Sequence, residues 1–269
     1  MVIPHETGPR YSSFMGRSCP ACGFVWSWHL SDGRFKCRQC SAKYTWQSAW
    51  DMSRLSEADK RALLELFVYG VPVYRQRFRG KASTGAIERF YRIIRACCAY
   101  LEDLREPFEG DIECDESTFG GYRKGKRGWG AAGKVIVFGI IKRNGTVKAC
   151  PINRRRQGEV LSLIIEHTLP GSLYYTDDWK AYGSLRLRGD HVVVRKEAGR
   201  PKGRDHINGI EGFWSYAKNW LYPYRGVPRK NFHLFLGEIC FRFNHRHEDL
   251  FPILIKELKS MPARNLNTF

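Results

Sequence analysis

The chain has 269 residues, 43% of them hydrophobic and 14% aromatic, which allows one substantial core plus one or two small modules and excludes an intrinsically disordered chain. Its 45 Lys and Arg against 27 Asp and Glu leave a formal charge of +18, which favours a polyanionic partner, because each cation placed on a phosphate releases condensed counterions. No run of about 18 apolar residues occurs, which excludes a membrane-spanning helix.

The stretch MVIPHETGPRYSSF lacks the apolar core of a secretory signal, so a cytoplasmic, reducing location is expected. In that setting the nine cysteines read as metal ligands or core residues rather than disulfides. Cys19 and Cys22, then Cys37 and Cys40, form two CxxC knuckles with 14 residues between Cys22 and Cys37 (37 − 22 − 1 = 14). Four thiolates at this spacing suit tetrahedral Zn²⁺, whose binding energy folds a segment too small to hold a core of its own. Residues 1–48 are therefore expected to be a zinc ribbon, with Phe24, Trp26, Phe35, Tyr44 and Trp46 in its small strands. Cys97, Cys98, Cys114, Cys150 and Cys240 have no paired spacing and read as small hydrophobes.

Residues 49–108 read as helical. Leu55, Ala62, Leu63, Leu66 and Phe67 recur at helical spacing over 55–69 until Gly70 and Pro72 break the run. After the short stretch 73–78, Ser83 or Thr84 can cap a helix over 85–100 with Ile87, Phe90, Ile94 and Cys97 on one face. This order is helix-turn-helix-like, and Arg75, Arg77, Arg79, Lys81, Arg89, Arg92 and Arg95 make it a candidate DNA-binding segment.

From residue 109 the pattern alternates. Extended runs are expected at 111–119, 135–141, 146–152, 173–176 and 191–194, with the Asn144-Gly145 pair marking a hairpin turn. Helices are expected at 158–167 and 179–187 and from about His206 onward. Three antiparallel-type strands, helix, strand, helix, strand, helix is the order of a ribonuclease H-like α/β fold, a mixed sheet flanked by helices, over 109–258, leaving 259–269 as a C-terminal tail.

Three carboxylates stand out on these elements. Asp115 sits inside a strand, sharing a face with Glu113 and Ser117 while Ile112, Cys114 and Glu116 face the other way. Asp177 ends the strand 173–176, where open α/β sheets bind ligands, and Asp178 is expected to cap the next helix. On the last helix Ile207, Ile210, Trp214, Ala217 and Leu221 form the buried stripe; Asn208, Glu211, Ser215 and Lys218 lie on the adjoining arc. Carboxylates on separate rigid elements suit two divalent ions about 4 Å apart, the arrangement for phosphodiester chemistry, with Mg²⁺ or Mn²⁺ as the hard cations.

The motifs that contain these residues resemble those of insertion-sequence transposases related to eukaryotic Merlin elements. Ile112 to Gly121 (IECDESTFGG) resembles the first-strand motif of that family, Thr176 to Tyr182 (TDDWKAY) the second, and His206 to Trp214 (HINGIEGFW) followed by Lys218 the third. The resemblance spans nearly the whole chain. It implies a DDE-type recombinase with Asp115, Asp177 and Glu211 as the Mg²⁺ or Mn²⁺ triad, Asp177 and Glu211 being 34 positions apart (211 − 177 = 34). Asn208 is the alternative third ligand, His206 an orienting group, and Lys218 a contact to the terminal phosphate. Asp178 stands where many relatives carry Gly. The basic runs Arg123–Arg127 and Arg195–Arg204 are candidate grips on DNA phosphates.

The expected function is binding of insertion-sequence terminal repeats, DNA cleavage and strand transfer into target DNA. A homodimer or larger assembly on double-stranded DNA and nucleoid association would accompany it. A structure-specific nuclease on the same core and a domesticated, inactive transposase acting as a DNA-binding regulator are the alternatives.

Overall fold

A computed structural model describes residues 18–76, 82–120, 134–143, 145–194 and 205–267. Arg77, Arg79, Lys81, Asn144 and the runs Arg123–Arg127 and Arg195–Arg204 lie outside the described residues.

The N-terminal strands β1 (Ser27–His29), β2 (Phe35–Cys37) and β3 (Lys43–Tyr44) form a small antiparallel sheet in the order β1-β2-β3. Among the described residues its core is Cys19, Phe35, Cys37 and Tyr44, with Phe24, Ala42 and Trp46 packed against it. So little apolar burial cannot offset the entropy of ordering the segment without a cross-link.

Helix α1 (Glu57–Val68) starts at Ser56, whose side chain accepts the Asp59 N–H at 3.1 Å; α2 (Thr84–Asp103) starts at Ser83, which caps Ala86 in the same way at 3.3 Å. Between them the chain makes a 3-10 turn at Val73–Arg75. The helix, turn, helix order is that read from the sequence, but α2 runs three residues past Tyr100 and buries residues well beyond one stripe, including Tyr91, Arg95, Cys98 and Glu102. The reason lies at the other end of the chain. Helices α5 (Phe232–Asn244) and α6 (Leu250–Ser260) share one core with α1 and α2, built from Leu64, Phe67, Phe90, Ile94, Leu234, Phe241, Leu254 and Leu258. Glu238 of α5, fully buried, accepts from Arg95 at 2.6 Å and Arg242 at 2.9 Å. Arg242 also donates to the Val68 carbonyl at 2.9 Å, closing the C-terminal end of α1. Residues 259–267, read as a tail, instead pack inward. Met261 and Leu266 are buried, the Ala49 N–H donates to the Met261 carbonyl, and Ala263 donates to Gln47, both at 2.8 Å.

The main sheet contains β4 (Asp111–Phe119), β5 (Val135–Lys142), β6 (Thr146–Ile152), β7 (Leu173–Thr176) and β8 (Asp190–Val193), in the order β6-β5-β4-β7-β8. β4, β5 and β6 are antiparallel neighbours, and β7 and β8 run parallel to β4. This is the ribonuclease H-like mixed sheet that the element order predicts. Side chains alternate across β4. Ile112 and Cys114 pack with Val160 and Ile164 of α3 (Gln157–His167) on one face. The other face carries Val137, Ile141, Val147 and Tyr175 and is covered by α4 (Asn208–Leu221), through Ile210, Phe213, Trp214 and Ala217, and by α5.

The link after β7 differs in detail from the sequence reading. The helix expected at 179–187 is a 3-10 run over Lys180–Leu187, and Asp178 is exposed and does not cap it. Asp177 does the local work, its Oδ1 accepting the Trp179 N–H at 3.1 Å.

Candidate active site

β4 outruns its parallel neighbour. Pairing between them ends at Glu113 opposite Tyr175, and β7 itself stops at Thr176. Along Cys114–Phe119 this edge of β4 is therefore not covered by β7. Asp177, the first residue past β7, enters the gap. Carboxylate oxygens of Asp115, Glu116 and Asp177 all come within 4.8 Å of one another there. Three acidic oxygens at that separation could hold a metal ion, and they are the hard donors that Mg²⁺ or Mn²⁺ prefers.

Each carboxylate is held by a different element. Asp115 Oδ2 accepts from Trp214 Nε1 of α4 at 3.1 Å. The indole lies over Gly139, the residue paired with Asp115 across β4 and β5; a Cβ there would stand 2.6 Å from the Trp214 ring. Glu116, on the opposite face, accepts from the Tyr182 hydroxyl at 2.9 Å and from Arg155 Nη2 at 3.1 Å. Burial pushes the Glu116 carboxyl up to about 7, against the opposing pull of Arg155 and Tyr182, with Asp115 adding to the rise. Arg155 stacks 4.1 Å over Trp179 and reaches Asp177 Oδ2 at 3.5 Å, so one guanidinium bridges two of the three acids.

One pleat before Asp115, buried Glu113 accepts from Arg143 at 3.2 Å and from the Ile210 N–H, at the start of α4, at 3.0 Å. Arg143 also donates to the His206 carbonyl at 2.7 Å and stacks 3.5 Å over Tyr175. A carboxylate at a helix N-terminus is favoured by the orphan amides there. Glu113 thus fixes the entry of α4 over the sheet, and a Cβ on Gly209 would come within 2.9 Å of its Oε2.

Asp115 and Asp177 are thus brought together, two of the three carboxylates singled out in the sequence. Glu211 is half-buried on α4, one turn before Trp214, and is not part of the close trio. Lys218 is exposed one turn after Trp214, its Nζ 5.9 Å from the Phe119 ring. Asn208 is exposed at the first turn of α4, and half-buried His206 lies 3.7 Å from Glu113. Sequence reasoning missed Glu116, Arg155, Glu113 and Arg143 as parts of the site. The adjacent Asp115-Glu116 pair was the available signal, but strict alternation assigns Glu116 to the far face.

The four knuckle cysteines also converge. Cys19 and Cys40 sulfurs are 3.6 Å apart, Cys22 and Cys37 sulfurs 3.5 Å, and all four lie within 4.8 Å of one another. Four sulfurs about 2.3 Å from one tetrahedral ion would stand about 3.8 Å apart, so the set fits a metal such as Zn²⁺. The Ala21 and Gln39 amides donate to Cys19 and Cys37 at 3.4 Å, as suits thiolates. Burial acts to raise the Cys37 thiol, but backbone donation from Cys40 and Gln39 outweighs it and brings it to about 7.

The ISXO2-like transposase domain matches residues 107–244, more than half of the chain. The chain belongs to the ISXO2-like transposase family. That match spans all five strands of the main sheet and α4. A transposase-like protein of Haemophilus influenzae is 33% identical over 87 residues, 32% of this chain and 71% of that protein. A protein in the transposable element ISH50 of Halobacterium salinarum is 23% identical over 215 residues, 73% of each chain. Among solved structures, a chain of the simian T-cell lymphotropic virus intasome aligns with 15% identity and a TM-score of 0.33, covering 67% of this chain and 65% of that one. Among the described residues no helix of this transposase-family chain is long and apolar enough to cross a membrane.

Proposed function

We propose that the chain binds insertion-sequence ends, cleaves a phosphodiester bond in a metal-dependent step and transfers the freed end to target DNA. The observation that carries this reading is the convergence of Asp115 and Asp177 where β4 runs past the end of β7, in a chain of the transposase family. Divalent ions bound there, Mg²⁺ or Mn²⁺, would supply activation of the attacking water or 3′ hydroxyl and neutralisation of the leaving oxygen.

Asp115 and Asp177 are the shared ligands in this reading, and Glu211 of α4 supplies the third carboxylate. Glu116 is the nearer acid, but both its oxygens already accept strong hydrogen bonds from Tyr182 and Arg155. Its role is to hold Arg155 against Asp177. Trp214 fixes the orientation of the Asp115 carboxylate by donating to its Oδ2 at 3.1 Å. Asn208 and His206 orient the substrate at the start of α4, and Lys218 contacts the terminal phosphate. The four cysteines hold a structural Zn²⁺, and two ends brought together imply a dimer or larger assembly on DNA.

The test is strand transfer with labelled element ends in Mg²⁺. Joined product is expected from the wild type, while Asp115→Ala should abolish cleavage and leave end binding intact. Hydrolysis without joining would identify a nuclease instead, and binding without either product a DNA-binding regulator.

A further inference from the structure

The N-terminal sheet has two unlike faces. Phe35, Cys37 and Tyr44 point to the cysteine cluster and are buried. The opposite face is read from the cross-strand register. Trp28 pairs with Lys36, and Lys36 pairs with Lys43, so these three side chains share one side. Arg38, two residues after Lys36, joins them, with its guanidinium 4.0 Å over the Trp28 ring. The Arg38 N–H donates to the Trp26 carbonyl at 3.1 Å, which extends the ladder by one residue and brings Trp26 alongside.

Trp26 and Trp28 are 44% and 47% exposed, a large indole area to leave in water. Arg38 and Trp26, with Phe24 and Gln39, line a surface hollow of about 550 Å³. Three cations and two indoles thus lie together on this face. Among residues 18–48 the one acid, Asp32, sits in the β1–β2 turn and is engaged by Arg34 at 2.7 Å.

We propose that this face is a stacking platform for unpaired nucleotides of DNA. A flat base entering the hollow would have the Trp26 indole and the Arg38 guanidinium as walls, the latter backed by Trp28, while Lys36 and Lys43 take the phosphates. Stacking on aromatic and guanidinium planes is sequence-tolerant, and flanking cations track the backbone of a single strand. Charge complementarity selects a polyanion, and the exposed indoles beside the cations favour one that carries unstacked bases over an acidic protein surface. The proposal rests on the reading that the chain acts on DNA and adds a strand-selective surface remote in sequence from the carboxylates.

The experiment compares binding of the zinc-loaded full chain to a labelled 20-nucleotide oligo-dT and to a labelled 20-base-pair duplex by fluorescence anisotropy. Trp26→Ala and Trp28→Ala should each weaken oligo-dT binding about tenfold, within the range for a lost stacking partner, and change duplex binding less than twofold. Trp28→Phe should restore most of the loss. Zinc content and circular dichroism equal to wild type establish that the variants fold. As an independent check, Lys36→Gln with Lys43→Gln should lower the slope of log affinity against log salt for oligo-dT by about 1.4, at about 0.7 per cation. Unchanged oligo-dT binding, or equal losses on both DNAs, would overturn the platform while leaving the transposase reading intact. A wild-type chain that binds neither DNA would overturn both.

Discussion

Trp214 reaches from α4 over Gly139 to donate its indole N–H to Asp115, 3.1 Å away, and Gly139 is Asp115's own partner across β4 and β5. Position and orientation of the first carboxylate therefore depend on an empty space one strand over. Gly139→Ala puts a methyl 2.6 Å from the ring and is expected to destabilise the fold by about 1–3 kcal/mol through overpacking. Trp214→Phe keeps most of the packing but drops the hydrogen bond; it should slow cleavage by about tenfold while the urea midpoint falls less than for Gly139→Ala. Unfolding curves and single-turnover cleavage rates on the same preparations check both.

Glu211 and Glu116 compete for the place of third acid. If Glu211 is the ligand, Glu211→Gln should cut Mg²⁺-dependent cleavage by at least about 100-fold in a chain whose urea midpoint and end binding show that it still folds. Glu116→Gln should retain measurable cleavage, because Tyr182 and Arg155 rather than an ion occupy its oxygens. The reverse ranking would move the third ligand to Glu116.

The raised Glu116 carboxyl makes a signed prediction about pH. Its ordinary value is 4.5 and burial lifts it to about 7 in the folded chain. Between those values the folded protein keeps a proton that the unfolded chain has released. Stability from this group is greatest below pH 4.5, falls as pH rises, and levels off above about 7. The full fall is up to about 3 kcal/mol at about 1.4 kcal/mol per unit. Urea unfolding of the zinc-loaded, magnesium-free protein from pH 5 to 8 should show this decline, and Glu116→Gln should flatten it. A midpoint that rises over the same range in wild type but not in Glu116→Gln would contradict it.

Removing zinc should act locally. Cys37→Ser is expected to abolish zinc binding and to expose amides of residues 19–46 to rapid hydrogen exchange, since among the described residues that core holds four buried side chains, two of them the cysteines themselves. The main sheet should keep its protection, because its clusters are formed by other residues. Exchange measured by mass spectrometry with zinc stoichiometry checks both halves.

The sequence by itself determined the strands of the main sheet, the antiparallel-then-parallel order, the two cysteine knuckles, and the elements that carry Asp115, Asp177 and Glu211. These are local properties: period-2 and period-3.6 patterns, the Cys-x-x-Cys spacings, and motif residues a few positions apart. Ser83 was equally legible as a cap, because a cap satisfies amides within its own turn; Ser56 caps α1 in the same way but was not read from the sequence.

Only the tertiary structure decided that α2 is sealed by α5 and α6 and that residues 259–267 pack inward, since apolar faces in a sequence carry no address. It also decided the membership of the carboxylate trio. Alternation along β4 sends Glu116 away from Asp115 wherever strands lie on both sides, but β7 ends at Thr176, and past that end side chains from both faces can bend into the same gap. Where a strand stops is set by its neighbours' lengths and by the turn that Asp177 makes with Trp179, and no periodicity within β4 encodes either.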